Sequence, residues 1–228
     1  MRIVIHIKTL VLLLFLSKSI CAASIFGTVT FKESTPMAGV IYTEGNFEPN
    51  SVVIDQVKRN FEKAVYVTHP GSKVTFMNTD NIRHNIFTRN ISIDFKFNSG
   101  LLETGESVVK SVDWEVNSMT RIACFVHEGM EAYLVNIPTS KYEALDFTMP
   151  EFISKKRFKY SGRTPRSLRP LQSSVNFVLN DIDPSNSLYF MIPYKPILKL
   201  DLSGDKEQSF DINYGDGVIG SIDINLKQ

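Results

Sequence analysis

Apolar and polar positions alternate in short runs along most of the chain. Between Ser24 and Pro138 these runs are SIFGTVTF, KAVYVTHPGSKVTFMNTD, SVVKSVDW, RIACFV and EAYLVNIP, the second of them two runs joined by a His-Pro-Gly-Ser turn. Successive strand side chains point to opposite faces. Period-two runs broken by Gly, Pro, Asn and Asp therefore predict an antiparallel β-sandwich. NSVVIDQVKRNFEK fits this least well and reads as a helical turn or a long loop. After Thr139 the texture changes. SKKRFKYSGRTPRSLRP carries seven basic residues and no acidic one, which reads as a solvated linker or, over residues 155–169, as a docking stripe for an anionic surface. SVNFVLNDI, SLYFMIP, ILKLDLSG, QSFDINYG and GVIGSIDINL then restore the strand pattern and predict a second, smaller β-sandwich-like domain. The expected class is all-β.

The first residues change the picture of the compartment. MRIVIHIKTLVLLLFLSKSICAAS has early Arg2 and Lys8, an apolar stretch from Thr9 to Leu16 and a small-residue exit at Cys21-Ala22-Ala23. That is the layout of a secretory leader, and the apolar stretch is shorter than the ~20 residues of a spanning helix. The expected organisation is a leader over 1–23, a β-domain over 24–138, a basic linker over 139–171 and a β-rich domain over 172–228. The mature protein is expected to be periplasmic or secreted, with no stable membrane span. Arg2, Lys8 and Lys18 leave with the leader, so 25 basic residues fall to near balance with 24 acidic ones. A near-neutral chain argues against a general nucleic-acid binder. Cys21 leaves as well, so Cys124 has no partner for an internal disulfide and needs another explanation.

The loop RIACFVHEGMEAYLVNI holds Cys124, His127 and Met130 at short steps between two strand-like runs. His84 stands in NTDNIRHNIF, directly after the strand KVTFM, and the remaining histidine of the mature chain, His69, lies in a turn at the other end. Singly, each has an ordinary reading. Cys124 is a small buried hydrophobe, His127 a surface-loop residue, Met130 core filler, and His84 a partner for a turn carbonyl. Jointly, a strand-end His and a neighbouring hairpin loop can meet at one pole of a sandwich. A thiolate, two neutral imidazoles and a weak thioether select copper and suit its Cu(I) and Cu(II) states. The ligand set expected for one copper ion is therefore His84, Cys124, His127 and Met130.

Over residues 25–138 the sequence resembles the cupredoxins. RHNIF and CFVHEGM are similar to the copper loops of plastocyanin and amicyanin, with the short amicyanin-like spacing from Cys to Met. The segments GTVT, PMAGVIY and VVIDQVKRNFEKAVYVTHPGSKVTFMNTDNIRHNIF are closer to secreted plastocyanin-like proteins of the methylamine-utilization type. The resemblance implies a Greek-key sandwich, with His84, Cys124 and His127 as equatorial ligands and Met130 as the axial one. It also implies that Asn85 ties the His84 loop to the Cys124 loop. Phe125-Val126 departs from the many relatives that have a proline there.

The function expected is shuttling of single electrons between redox partner proteins, with Phe87, Phe125, Val126 and Ile86 as an apolar contact rim, and no catalysis. A copper carrier or storage protein would use the same ligands at a more open site. A zinc or thiol hydrolase is the reading from another class, opposed by Met130 at the position that catalytic zinc keeps open.

Overall fold

The computed structural model describes residues 22–150 and 164–227. Most of the expected leader, and five of the seven basic residues of the basic run, lie outside the described residues. The strands are β1 (Ala23–Phe31), β2 (Ala38–Thr43), β3 (Ser51–Val57), β4 (Asn60–Phe61), β5 (Val65–Thr68) and β6 (Lys73–Asn78). Next come β7 (Phe87–Asn90), β8 (Phe95–Asn98), β9 (Ser107–Ser111), β10 (Ser118–Ala123) and β11 (Glu131–Asn136). The last are β12 (Tyr142–Asp146), β13 (Ser174–Ile182), β14 (Leu188–Met191), β15 (Leu198–Leu200), β16 (Glu207–Asn213) and β17 (Val218–Lys227). They form four sheets, β13-β1-β17-β16, β12-β2-β14-β15, β5-β11-β10-β7-β8 and β4-β3-β6-β9. No helix among the described residues is long and apolar enough to cross a membrane.

Three cores separate the sheets, so these stack in the order given. In the first, Ile25, Val29 and Ile222 of one sheet meet Ile41, Leu145 and Phe190 of the next. In the last, Ile54 and Phe76 meet Ile122, Ala132 and Leu134. Between these two sandwiches lies a third core of Val40, Tyr42, Val67, Tyr133, Val135 and Met191. This explains why β2 is buried at every position. Ile41 turns to one core and its neighbours Val40 and Tyr42 to the other. The same alternation sends Leu134 of β11 inward to the last core and Val135 to the middle one. A strand covered on both faces loses the polar half of its pattern.

The pairing departs from the expected domain boundaries. β1, placed by its position in the first domain, lies between β13 and β17. β2 pairs with β12 and β14. The sandwich containing residues 51–136 is thus set into the chain between two strands of the other sandwich. The segment 139–171, expected to be a linker, supplies β12. Alternation identifies a strand and its two faces, but it does not choose the partner; here the partners are more than a hundred residues away. Nor is the pairing wholly antiparallel. β3 runs parallel to β6, and β5 to β11, because the chain crosses to the facing sheet before returning.

NSVVIDQVKRNFEK, which read as a helical turn or a loop, is the hairpin β3–β4. Its two-residue turn, Lys58-Arg59, has φ of 50° and 58°. Both central residues of such a tight hairpin turn sit left-handed, which Asn and Gly do readily and Lys and Arg rarely. Asp80 helps to hold this turn, since its Oδ2 accepts the Arg59 N–H at 2.8 Å.

Candidate metal centre

β6 ends at Asn78, and the chain then turns inward. His84 is fixed there by main-chain bonds in both directions with Leu102, its N–H at 3.2 Å from the Leu102 carbonyl and its own carbonyl at 2.7 Å from the Leu102 N–H. The His84 side chain is fully buried. Its Nδ1 lies 3.7 Å from Cys124 Sγ and 3.0 Å from His127 Nδ1, while Cys124 Sγ is 3.7 Å from His127 Nδ1. The two nitrogens and the sulfur converge on one point, with all three donor atoms within 4.8 Å of one another. Cys124 is free and buried.

The structure therefore brings together three of the four expected ligands. Met130 is placed by its backbone, whose carbonyl accepts the Cys124 N–H at 3.0 Å and whose N–H donates to the His127 carbonyl at 3.3 Å. Its side chain is buried in the same core as Cys124. Asn85 Oδ1 accepts the Phe125 N–H at 2.9 Å and lies 3.5 Å from Cys124 Sγ. The main chain of Asn85 is held in turn, Gln56 Nε2 donating to its carbonyl at 3.2 Å. His69 stands apart. It is buried at the far end of the sandwich, with Nδ1 3.0 Å from the Ile137 carbonyl and its ring near Phe47 and Tyr142.

Asp80 does more than hold a turn. It does hold the Arg59 and Asn81 amides, but its Oδ2 also lies 3.0 Å from His84 Nε2. A carboxylate there keeps the proton on Nε2 and leaves the Nδ1 lone pair facing the cluster, fixing tautomer and ring orientation together. The signal was available, because Asp80 precedes His84 by four residues in NTDNIRH.

The electrostatics match this arrangement. Burial pushes the Asp80 carboxyl up, but the Arg59 amide, His84 and the Asn81 amide hold it below its ordinary value. Burial likewise raises the Cys124 thiol, and the hydrogen bonds of His84 and nearby amides outweigh it, leaving the thiol more acidic than usual. His84 is driven down by burial yet ends above the ordinary histidine value through Cys124 and Asp80. His127 goes the other way, to about 4, through burial and the positive charges of His84 and Arg59. A thiol inclined to ionise beside an imidazole inclined to stay neutral is a donor set ready for a soft cation.

On one side of the cluster the surface is apolar, although Ile86, expected in that rim, is fully buried. Phe125 is 69% exposed and Val126 51%. The Phe125 ring stacks on Phe87, with centroids 3.5 Å apart and planes within 8°. A cleft of about 450 Å3, lined in part by Arg59, Arg83, Thr104 and His127, opens beside the cluster.

No protein-family model matches the chain, and no curated protein matches it. Among solved structures, an oxidized mutant of amicyanin is 15% identical over 38% of this chain and 81% of its own, with a TM-score of 0.34. A novel purple cupredoxin from Nitrosopumilus maritimus is 20% identical over 38% of this chain and 97% of its own, with a TM-score of 0.31. For the Cu-containing nitrite reductase NirK from Thermus scotoductus SA-01 the identity is 20% over 40% of this chain and 23% of its own, with a TM-score of 0.35. Each of these three is similar to a part of this chain only; independently of them, the donors of His84, Cys124 and His127 form a group that could hold a metal ion.

Proposed function

We propose that this protein is a one-electron carrier in which His84, Cys124 and His127 would hold a single copper ion, with Met130 as a fourth and weaker donor. The observation that carries the reading is the convergence of one thiol sulfur and two imidazole Nδ1 atoms at the apolar, exposed end of a β-sandwich. A bound copper ion would supply the Cu(I)/Cu(II) couple. Two imidazoles and one thiolate with a long thioether contact suit both states, where carboxylates would favour harder ions.

The chain's own residues do the rest. Asp80 orients His84, and Asn85 joins the two ligand loops, so the donor geometry is set before metal arrives. The fully buried His84 and the buried Cys124 and Met130 exclude water from all but the His127 side. Exposed Phe125, stacked on Phe87, and exposed Val126 offer a partner a dry contact of the kind that brief redox encounters use. Burial of three of the four donors favours an electron carrier over a copper carrier, which needs an exchangeable site. The working compartment is extracytoplasmic in this reading, as the leader-like first residues suggest.

The anionic-surface role for residues 155–169 finds no support in the described part of that run. Arg166 donates through Nη2 to the Glu62 carbonyl at 2.6 Å, through Nη1 to Thr148 Oγ1 at 3.1 Å, and pairs with Asp146. Residues 155–163 lie outside the described residues.

The test is redox titration of the copper-loaded protein. A reversible one-electron couple, with fast exchange to a small-molecule donor, is expected. Copper that leaves on each change of oxidation state would contradict the electron-carrier reading in favour of the delivery one.

A further inference from the structure

The loop from Cys124 to Met130 is held on one side by Asn85 and on the other by a segment from a distant part of the chain. Gly129, left-handed at φ +73°, brings its backbone against residues 165–168. Ser167 Oγ donates to the Gly129 carbonyl at 2.8 Å. The approach is so close that a Cβ on Gly129 would stand 2.8 Å from Leu168 Cγ and 3.0 Å from Pro165 Cβ. The contact is therefore backbone on side chain, at the residue next to Met130 and two from His127.

That segment is itself anchored to both sandwiches. The Arg166 N–H donates to Asn60 Oδ1 at 2.9 Å, and its guanidinium reaches the Glu62 carbonyl in the same stretch of the metal-bearing sandwich. The same guanidinium pairs with Asp146, in the strand β12 of the other sandwich, and with Thr148 just beyond it. Arg166 is only 11% exposed in this position. A short 3-10 turn over Arg166–Leu168, closed by the Leu168 N–H to the Pro165 carbonyl at 3.0 Å, presents Ser167 and Leu168 to the loop.

We propose that Pro165–Leu168 is a buttress for the metal loop, and that Ser167 and Leu168 are positioning residues that hold His127 and Met130 at their places around the ion. The site is then completed from outside its own sandwich. The second sandwich carries, through β12 and Arg166, part of the rigidity that the ligand loop lacks. Without a proline between Cys124 and His127, the loop takes its stiffness from contacts on either side: Asn85 at Phe125, and Ser167 with Leu168 at Gly129. The role of the site as a copper centre rests on the function proposed above; the mechanical role does not.

The experiment uses the full chain carrying Ser167→Ala and Leu168→Ala together, with Leu179→Ala in the core of the second sandwich as a control of general destabilisation. In the metal-free proteins, hydrogen exchange at the Cys124, Phe125 and Met130 amides should be about tenfold faster in the double variant than in the wild type. Leu179→Ala, which reaches the loop only indirectly through the core it shares with Leu145 of β12, should accelerate those amides much less. In the copper-loaded proteins, the double variant should release copper several-fold faster to a chelator and show a changed visible spectrum. Unchanged exchange at these amides would overturn the buttress, as would equal acceleration by Leu179→Ala. A wild-type protein that binds no copper would sink the proposed function, while the exchange data on metal-free protein would still decide the buttress.

Discussion

Replacing Asp80 by Asn tests how the metal site is set before metal arrives. The carboxylate receives the Arg59 N–H at 2.8 Å and the Asn81 N–H at 2.9 Å, and lies 3.0 Å from His84 Nε2. An amide of the same size has one oxygen to offer and must turn its NH2 toward at least one of these donors. A buried donor left without an acceptor costs about 1–3 kcal/mol, and the pair with His84 loses its charge assistance besides. Metal-free protein should therefore lose about 1–3 kcal/mol in urea denaturation, with an unchanged slope. With the Nε2 proton no longer fixed, Nδ1 presents its lone pair less of the time, and copper affinity should fall by about 10–100-fold. Competition against a chelator of known strength measures this. Asp55→Asn is the control, because Asp55 holds the Gln56 and Thr79 amides of the same region but makes no contact with His84. It should reduce stability and spare the affinity. If Asp80→Asn binds copper within twofold of wild type, or if Asp55→Asn weakens it equally, Asp80 does not orient the ligand.

Asn85→Ala removes the acceptor of the Phe125 N–H and should cost about 1–3 kcal/mol, with faster exchange of that amide measured by NMR. Phe125→Ala, which gives up the stacking on Phe87, should cost about 0.5–1.5 kcal/mol and slow electron exchange with a partner, which stopped-flow mixing would read. Gly129→Ala, which strains a left-handed residue and drives a methyl into Leu168, should destabilise by more than about 1 kcal/mol in thermal unfolding. The His127 ring in metal-free protein should titrate near 4 by NMR, with His84 titrating above the ordinary value of 6.5. Because the unfolded chain binds a proton at His127 that the folded chain refuses between about 4 and 6.5, this residue makes stability rise with pH across that window. His84 works in the opposite sense, contributing stability that is complete below 6.5 and lost as pH rises through its elevated folded value.

Much of the molecule was legible in its residues, for reasons that also explain what was not. Strands such as RIACFV and KVTFM announce themselves through alternation, since each buries one face. The cluster was legible because Cys124 and His127 share a loop and His84 follows a strand, and cysteine and histidine are scarce elsewhere in the chain. The partners of β1 and β2 were not, because their pairing spans more than a hundred residues and no local pattern encodes it. β2 hid its layer by being apolar on both faces. The hairpin at Lys58-Arg59 carries none of the residues that favour a left-handed turn, and is held instead by a carboxylate twenty-one residues away. The buttress was masked by its own composition. A run rich in Arg and Lys reads as solvated, and only the fold shows Arg166 turned inward between two sandwiches.

The function proposed for this protein depends on sulfur and nitrogen donors gripping one copper ion together. Adding cupric ion to metal-free protein and recording its visible spectrum, beside that of Cys124→Ser, tests this directly. An intense thiolate-to-copper band in the wild type that is lost in the serine variant is the predicted result. A colourless copper complex of the wild type, or a band that survives the loss of the thiol, would contradict it.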